Sequence, residues 1–142
     1  MNIEKTNLSA QIVKQAKSEV GTVHFFKDLA VVEFYEGVHI DIATVKKTIS
    51  DLIDYFGQSK PFGIIANRIN SYSVALLDIK DARLALPNLK AYGIVSYSSA
   101  SRMSAEIESS ICEWKDICFD NLHEGLDTIY KRVKDSINVS LN

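Results

Sequence analysis

Residues 61–74 read PFGIIANRINSYSV, and the change of character inside that stretch decides the fold. Pro61 opens it, Phe62 to Ala66 run apolar without interruption, and Asn67 to Ser73 are almost wholly polar. An unbroken apolar run of this length suits a strand covered on both faces, the usual situation in a parallel sheet. The form recurs downstream. AYGIVSY (91–97) is a second buried strand that opens into SSAS, and DICF (116–119) is a shorter third candidate.

Working outward, the intervening segments have helical spacing. Before the first strand, Ile42, Val45, Ile49, Leu52, Ile53 and Phe56 form one apolar stripe, with Asp41 placed as N-cap and Gly57 just beyond the end. After it, a weaker pattern runs through Leu77, Leu84 and Leu86 until Pro87 stops it. The next stripe is Met103, Ile107, Ile111 and Trp114. Asn121 and Glu124 have capping-box spacing at the head of a last helix carrying Leu126, Ile129, Tyr130, Val133 and Ile137. Near the start, Val23–Phe26 and Leu29–Phe34 flank the polar pair Lys27–Asp28 and read as an antiparallel hairpin. The order β-β-α-β-α-β-α-β-α predicts an α/β domain. Its sheet is mixed and mostly parallel, with an N-terminal antiparallel hairpin at an edge and about four helices. Trp114, Tyr130 and Phe56 are expected in the core, while Tyr35 and Tyr55 suggest a homodimer face.

The 142 residues make one domain, 1–142, with 1–18 as a partly disordered or peripheral N-terminal segment. A chain of this size buries roughly 68–70% of its unfolded surface and needs no covalent staples. The formal net charge of −2 argues against nucleic acid as a partner. The N-terminus lacks the apolar centre of a signal peptide, and no stretch approaches the ~20 apolar residues of a membrane span. A cytoplasmic location is the default expectation. The two cysteines, Cys112 and Cys118, read as free buried thiols.

In open α/β sheets, ligands bind outside the carboxyl ends of the parallel strands. NRINSYS and SYSSASR leave two such ends. If the strands are neighbours, Asn67, Arg68, Asn70, Ser71, Tyr72 and Ser73 face Tyr97, Ser98, Ser99 and Ser101 across one rim, and His39 and Asp41 join from a third loop. Arg68 either binds an anion bidentately or pairs with a carboxylate such as Asp41 or Asp78. Ser98 to Ser101 cap the following helix, in a geometry that also offers N–H groups to a phosphate. The Ser and Asn residues of the first loop suit ordinary turn chemistry. No Gly-rich phosphate loop, nucleophile elbow or metal-ligand spacing accompanies them. The three histidines are scattered, and Asp78 and Asp81 suit a solvated helix face. The chain is therefore expected to be neither an enzyme nor a metal or cofactor protein.

The hairpin, the alternating units, the EGVH turn (36–39) and the NRINSYS loop (67–73) resemble the STAS-like proteins of bacteria, over about Glu19 to Val133. These are relatives of the anti-sigma-factor antagonists and are grouped with the CRAL-TRIO lipid carriers. The resemblance implies a stand-alone regulatory or protein-interaction module using the rim. It also implies a phosphorylatable Ser at Ser71 or Ser73, although Asn70 stands where that motif has Asp and no Gly closes it. The alternative it implies is a binder of an anionic or lipid-like molecule at the same rim. The expected contact residues are Asn67, Arg68, Asn70, Ser71, Tyr72, Ser73, Tyr97, Ser98 and His39.

Overall fold

A computed structural model describes residues 2–112 and 115–141, without side chains for 138–141. Its main sheet has six strands: β1 (Lys14–Lys17), β2 (Gly21–Phe25), β3 (Leu29–Phe34), β5 (Phe62–Arg68), β7 (Leu89–Ser96) and β8 (Ile117–Phe119), hydrogen-bonded in that order. The pairs β1–β2 and β2–β3 are antiparallel, and the three pairs that follow are parallel. The helices are α1 (Ile42–Phe56), α2 (Leu76–Leu84), α3 (Ser99–Ile111) and α4 (Leu122–Leu141). The mixed, mostly parallel α/β architecture follows the sequence pattern. The two-residue strands β4 (His39–Ile40) and β6 (Ser73–Val74) add a small parallel pair that the pattern does not announce.

Local signals set the element ends. Asp41 and Thr44 form a reciprocal capping box at the head of α1, and Gly57 ends that helix at φ 73°, a conformation glycine adopts without penalty. The Asn121 side chain likewise accepts from Glu124 N at 2.8 Å.

Two 3₁₀ turns (Ile3–Lys5 and Asn7–Gln11) lead into β1, which takes the sheet edge outside the hairpin, and Ile3 is fully buried.

Side-chain alternation divides the core. Leu29, Val31, Ile65 and Val95 face α4 and the N-terminal turns. Val32, Ile64 and Phe25 face α1 and Leu86 just beyond α2, while Ala66 and Ile94 meet Ala105 of α3. Phe56 is buried as expected and stacks on Phe62, with ring centroids 4.3 Å apart. Tyr130 packs on the α4 side, and Trp114 lies outside the described residues. Tyr55 belongs to the core margin, not an open dimer face. Its ring lies 4.5 Å from Phe25 and its hydroxyl donates to Phe26 O.

The α3 stripe points outward. Met103, Ile107 and Ile111 are 62%, 52% and 62% exposed, and Leu77 and Leu84 of α2 are exposed as well. The inward side of α3 carries Ala105 and Glu108 instead, because the sheet offers Arg68 as a partner there. Cys112 is buried and Cys118 half-buried, and both are free thiols.

Candidate functional site

Because β5 and β7 are adjacent and parallel, the loops leaving their carboxyl ends do meet. They enclose a groove of about 390 Å³ lined by Arg68, Asn70, Ser71, Tyr72, Tyr97 and Ser98, among others. The start of α3 forms its far wall through Ser101 and Ser104. Ser98 caps α3, accepting from Ser101 N at 3.1 Å.

Three expected contact residues sit elsewhere. Asn67 is 1% exposed, because strand alternation sends it to the face opposite Arg68. Its Nδ2 donates to Glu33 Oε2 at 2.6 Å, and its Oδ1 accepts from Tyr97 OH at 2.6 Å. Asn67 thus holds the groove's Tyr97 from behind. His39 and Ser73 are outside the groove, joined to each other by a 2.7 Å bond between Nδ1 and Oγ in the β4–β6 pair. Asp41 is occupied as the cap of α1, where the Thr44 N–H holds its carboxyl below the usual range.

The first loop is braced from below. Asn70 Nδ2 donates to Phe34 O at 3.0 Å, and Ser71 N donates to Glu36 Oε2 at 2.7 Å. Both bonds are long-range, tying the loop to Phe34 and Glu36 rather than closing a local turn.

Arg68 takes the carboxylate option, although its partner is neither Asp41 nor Asp78. Its two terminal nitrogens lie 3.3 and 2.5 Å from the carboxylate of Glu108 on α3. The guanidinium stands 5.5 Å from the centre of the Tyr72 ring. Burial opposes its charge, but the surrounding Tyr72 and Glu108 more than offset that and hold it above its ordinary range. Burial pushes the Tyr72 hydroxyl up as well, so it stays protonated.

Behind Arg68 and Tyr72 is a second space. An apolar cavity of about 70 Å³ lies between the sheet and helices α1 and α2, with Val32, Ile64 and Ala82 in its walls. Arg68 and Tyr72 line both cavity and groove, so they form the partition between them. At the far side Arg83 makes two bonds to Asp116, at 2.9 and 2.8 Å, and lies 3.9 Å from the centre of the Tyr92 ring.

A polar network on the α4 side was missed by the reading of the residues. Glu33 Oε1 meets His24 Nε2 at 2.8 Å, and Glu33 Oε2 accepts from Ile3 N at 2.9 Å and from Asn67. Burial alone would raise the Glu33 carboxyl, but these donors hold it below its ordinary value. The available signal was a lone acid at an inward position of LAVVEF (29–34).

A wider groove of about 700 Å³ lies between the N-terminal turns and α4, but the charged residues lining it, such as Lys27, Asp127 and Lys131, are all exposed. Its polar groups therefore do not converge as ligand-orienting groups do. Among the described residues, no cluster of His, Cys, Asp and Glu has the arrangement of a metal site, and no helix is long and apolar enough to cross a membrane. Compared with models of known protein families and with curated proteins, the sequence matches none.

Proposed function

We propose that the chain is a non-enzymatic, STAS-like interaction module that docks a protein partner on the rim groove and the outward face of α3. The observation that carries this is the α3 stripe. Met103, Ile107 and Ile111 stand one helical turn apart, each more than half exposed. Single exposed apolar residues are ordinary, but an aligned row beside a groove marks an interaction surface. The groove supplies polar groups at one end of that row, in Tyr97, Ser98, Ser101 and Ser104. An apolar core with a polar rim is the usual anatomy of a protein interface.

Of the two serines implicated as phosphate acceptors, Ser73 is the better placed. A phosphate there would meet His39, whereas one on Ser71 would approach the Glu36 carboxylate that its own N–H holds.

The test is capture by the full-length chain from its host. Met103→Glu together with Ile107→Glu should lose the captured protein, while Lys131→Glu on exposed α4 surface should retain it. Capture that survives the α3 double variant would rule out this surface. Ser73→Asp should change the captured amount more than Ser71→Asp.

A further inference from the structure

Residues 2–17 cross the edge of the sheet as a strap with little apolar anchorage. Ile3 is the single buried side chain among them, and most of the others are exposed. Segments with so few buried apolar contacts lie at the low end of local-opening free energies. Besides the backbone pairing of β1 with β2, the strap has two polar ties, and both end on the carboxylate of Glu33. Ile3 N donates to Glu33 Oε2 at 2.9 Å. Gln15 Nε2 lies 2.9 Å from His24 Nδ1, and His24 Nε2 lies 2.8 Å from Glu33 Oε1.

The same carboxylate holds the rim. Glu33 Oε2 also accepts from Asn67 Nδ2, and Asn67 Oδ1 accepts from the Tyr97 hydroxyl, each at 2.6 Å. Polarity fixes this order. An ionised carboxylate only accepts, so it turns the amide nitrogen of Asn67 towards itself and leaves the amide oxygen facing Tyr97. Glu33 and Asn67 are buried, whereas Tyr97 is exposed and lines the groove. An unbroken series of hydrogen bonds thus runs from the Ile3 N–H of the strap to the Tyr97 hydroxyl of the groove. Bonds linked in this way inside a low-dielectric interior polarise and strengthen one another.

We propose that residues 2–17 are a regulatory strap whose seating is coupled to the groove through Glu33 and Asn67. With the strap seated, the Glu33 carboxylate is pinned and Tyr97 is held in place on the rim. With the strap open, water replaces Ile3 N–H and Gln15, the carboxylate turns towards solvent, and Tyr97 loses its anchor. Coupling is reciprocal, so a partner that docks on Tyr97 in its held position also closes the strap. That use rests on the reading of the rim as a docking place. The coupling itself belongs to the free chain, so it can fail without the docking surface on α3 failing, and the reverse.

The experiment is amide hydrogen exchange of the full chain, read at Ile3 and at Val13, whose N–H donates to Phe25 O. Tyr97→Phe deletes only the hydroxyl at the far end of the series. It should speed exchange at both amides about fivefold, the typical net worth of one hydrogen bond. Tyr72→Phe removes a hydroxyl from the same rim but outside the series, and should leave both amides unchanged. In a Glu33→Gln background Tyr97→Phe should add nothing, because the junction is already lost. In the other direction, Ile3→Ala should shift the ring-carbon NMR signals of Tyr97 and spare those of Tyr72. Unchanged exchange in Tyr97→Phe, or an equal rise in Tyr72→Phe, would overturn the proposal. So would a full Tyr97→Phe effect that persists in Glu33→Gln, or Tyr97 ring signals indifferent to Ile3→Ala.

Discussion

On one face of the sheet α4 lies so close to the strands that a Cβ at Gly63 would overlap Ile129, and one at Gly93 would come within 3.1 Å of the same side chain. On the other face Tyr92 and Ile64 hold α1 and α2 away from the same two strands, and a cavity of about 70 Å³ remains. Two adjacent strands therefore carry opposite packing on their two sides. The difference follows strand alternation, which puts Gly63 and Gly93 on the α4 side and their neighbours Ile64 and Tyr92 on the other. It teaches where the molecule can adapt. The close-packed side has no space to yield, whereas the cavity side, which adjoins the groove, can accept added atoms.

One way to break the close-packed side is through its polar network. Glu33→Ala leaves Asn67, His24 and the Ile3 N–H without their shared acceptor, and should cost about 3–5 kcal/mol in denaturant unfolding. The same carboxylate gives a pH signature. Its folded value is depressed, so its contribution is complete above its ordinary value of about 4.5 and is lost as pH falls through the folded value. Wild-type stability should decline in acid below that point, and Glu33→Gln should flatten the decline. An unchanged acid limb in Glu33→Gln would show that the network does not fasten the N-terminal segment.

The faces can then be compared one carbon at a time. Gly63→Ala adds a methyl on the α4 side and should cost about 1–3 kcal/mol, the usual penalty of overpacking. Val32→Ile adds a methylene on the cavity side and should gain about 0.8 kcal/mol. Thermal or urea unfolding of both variants measures the contrast directly. Losses of the same size in the two would mean that the cavity side is as tightly packed as the other.

Part of this was legible in the sequence. The run PFGIIA, the Asp41 cap and the Gly57 stop gave the elements and their order, because periodicity and end chemistry are local. The rim was legible too, since parallel neighbours bring their carboxyl-end loops together. Asn67 was assigned to the rim although alternation sets it on the face opposite Arg68, and only the spatial neighbours Glu33 and Tyr97 make that position understandable. The direction of the α3 stripe was not legible, for a related reason. Apolar residues at helical spacing indicate a common face but not which way that face points. Here the inward side was decided by Arg68, some forty positions away, drawing Glu108 inward.

The smallest expected effect is also the most diagnostic of that inversion. Ile107→Glu places a charge at a position 52% exposed, and surface substitutions of this kind usually stay within about 0.5 kcal/mol. Ile129 of α4 is fully buried against the glycine-bearing strands, so Ile129→Glu should leave the chain unable to fold. Both residues look alike in sequence, each an isoleucine within an apolar helical pattern. Unfolding curves of the two variants distinguish a stripe held for a partner from a stripe held for the core. A loss at Ile107 comparable to that of a core residue would mean that α3 already buries this face within the free chain. A near-neutral result, combined with loss of capture by the α3 double variant, would place the cost of those exposed side chains on the partner's side of the equilibrium.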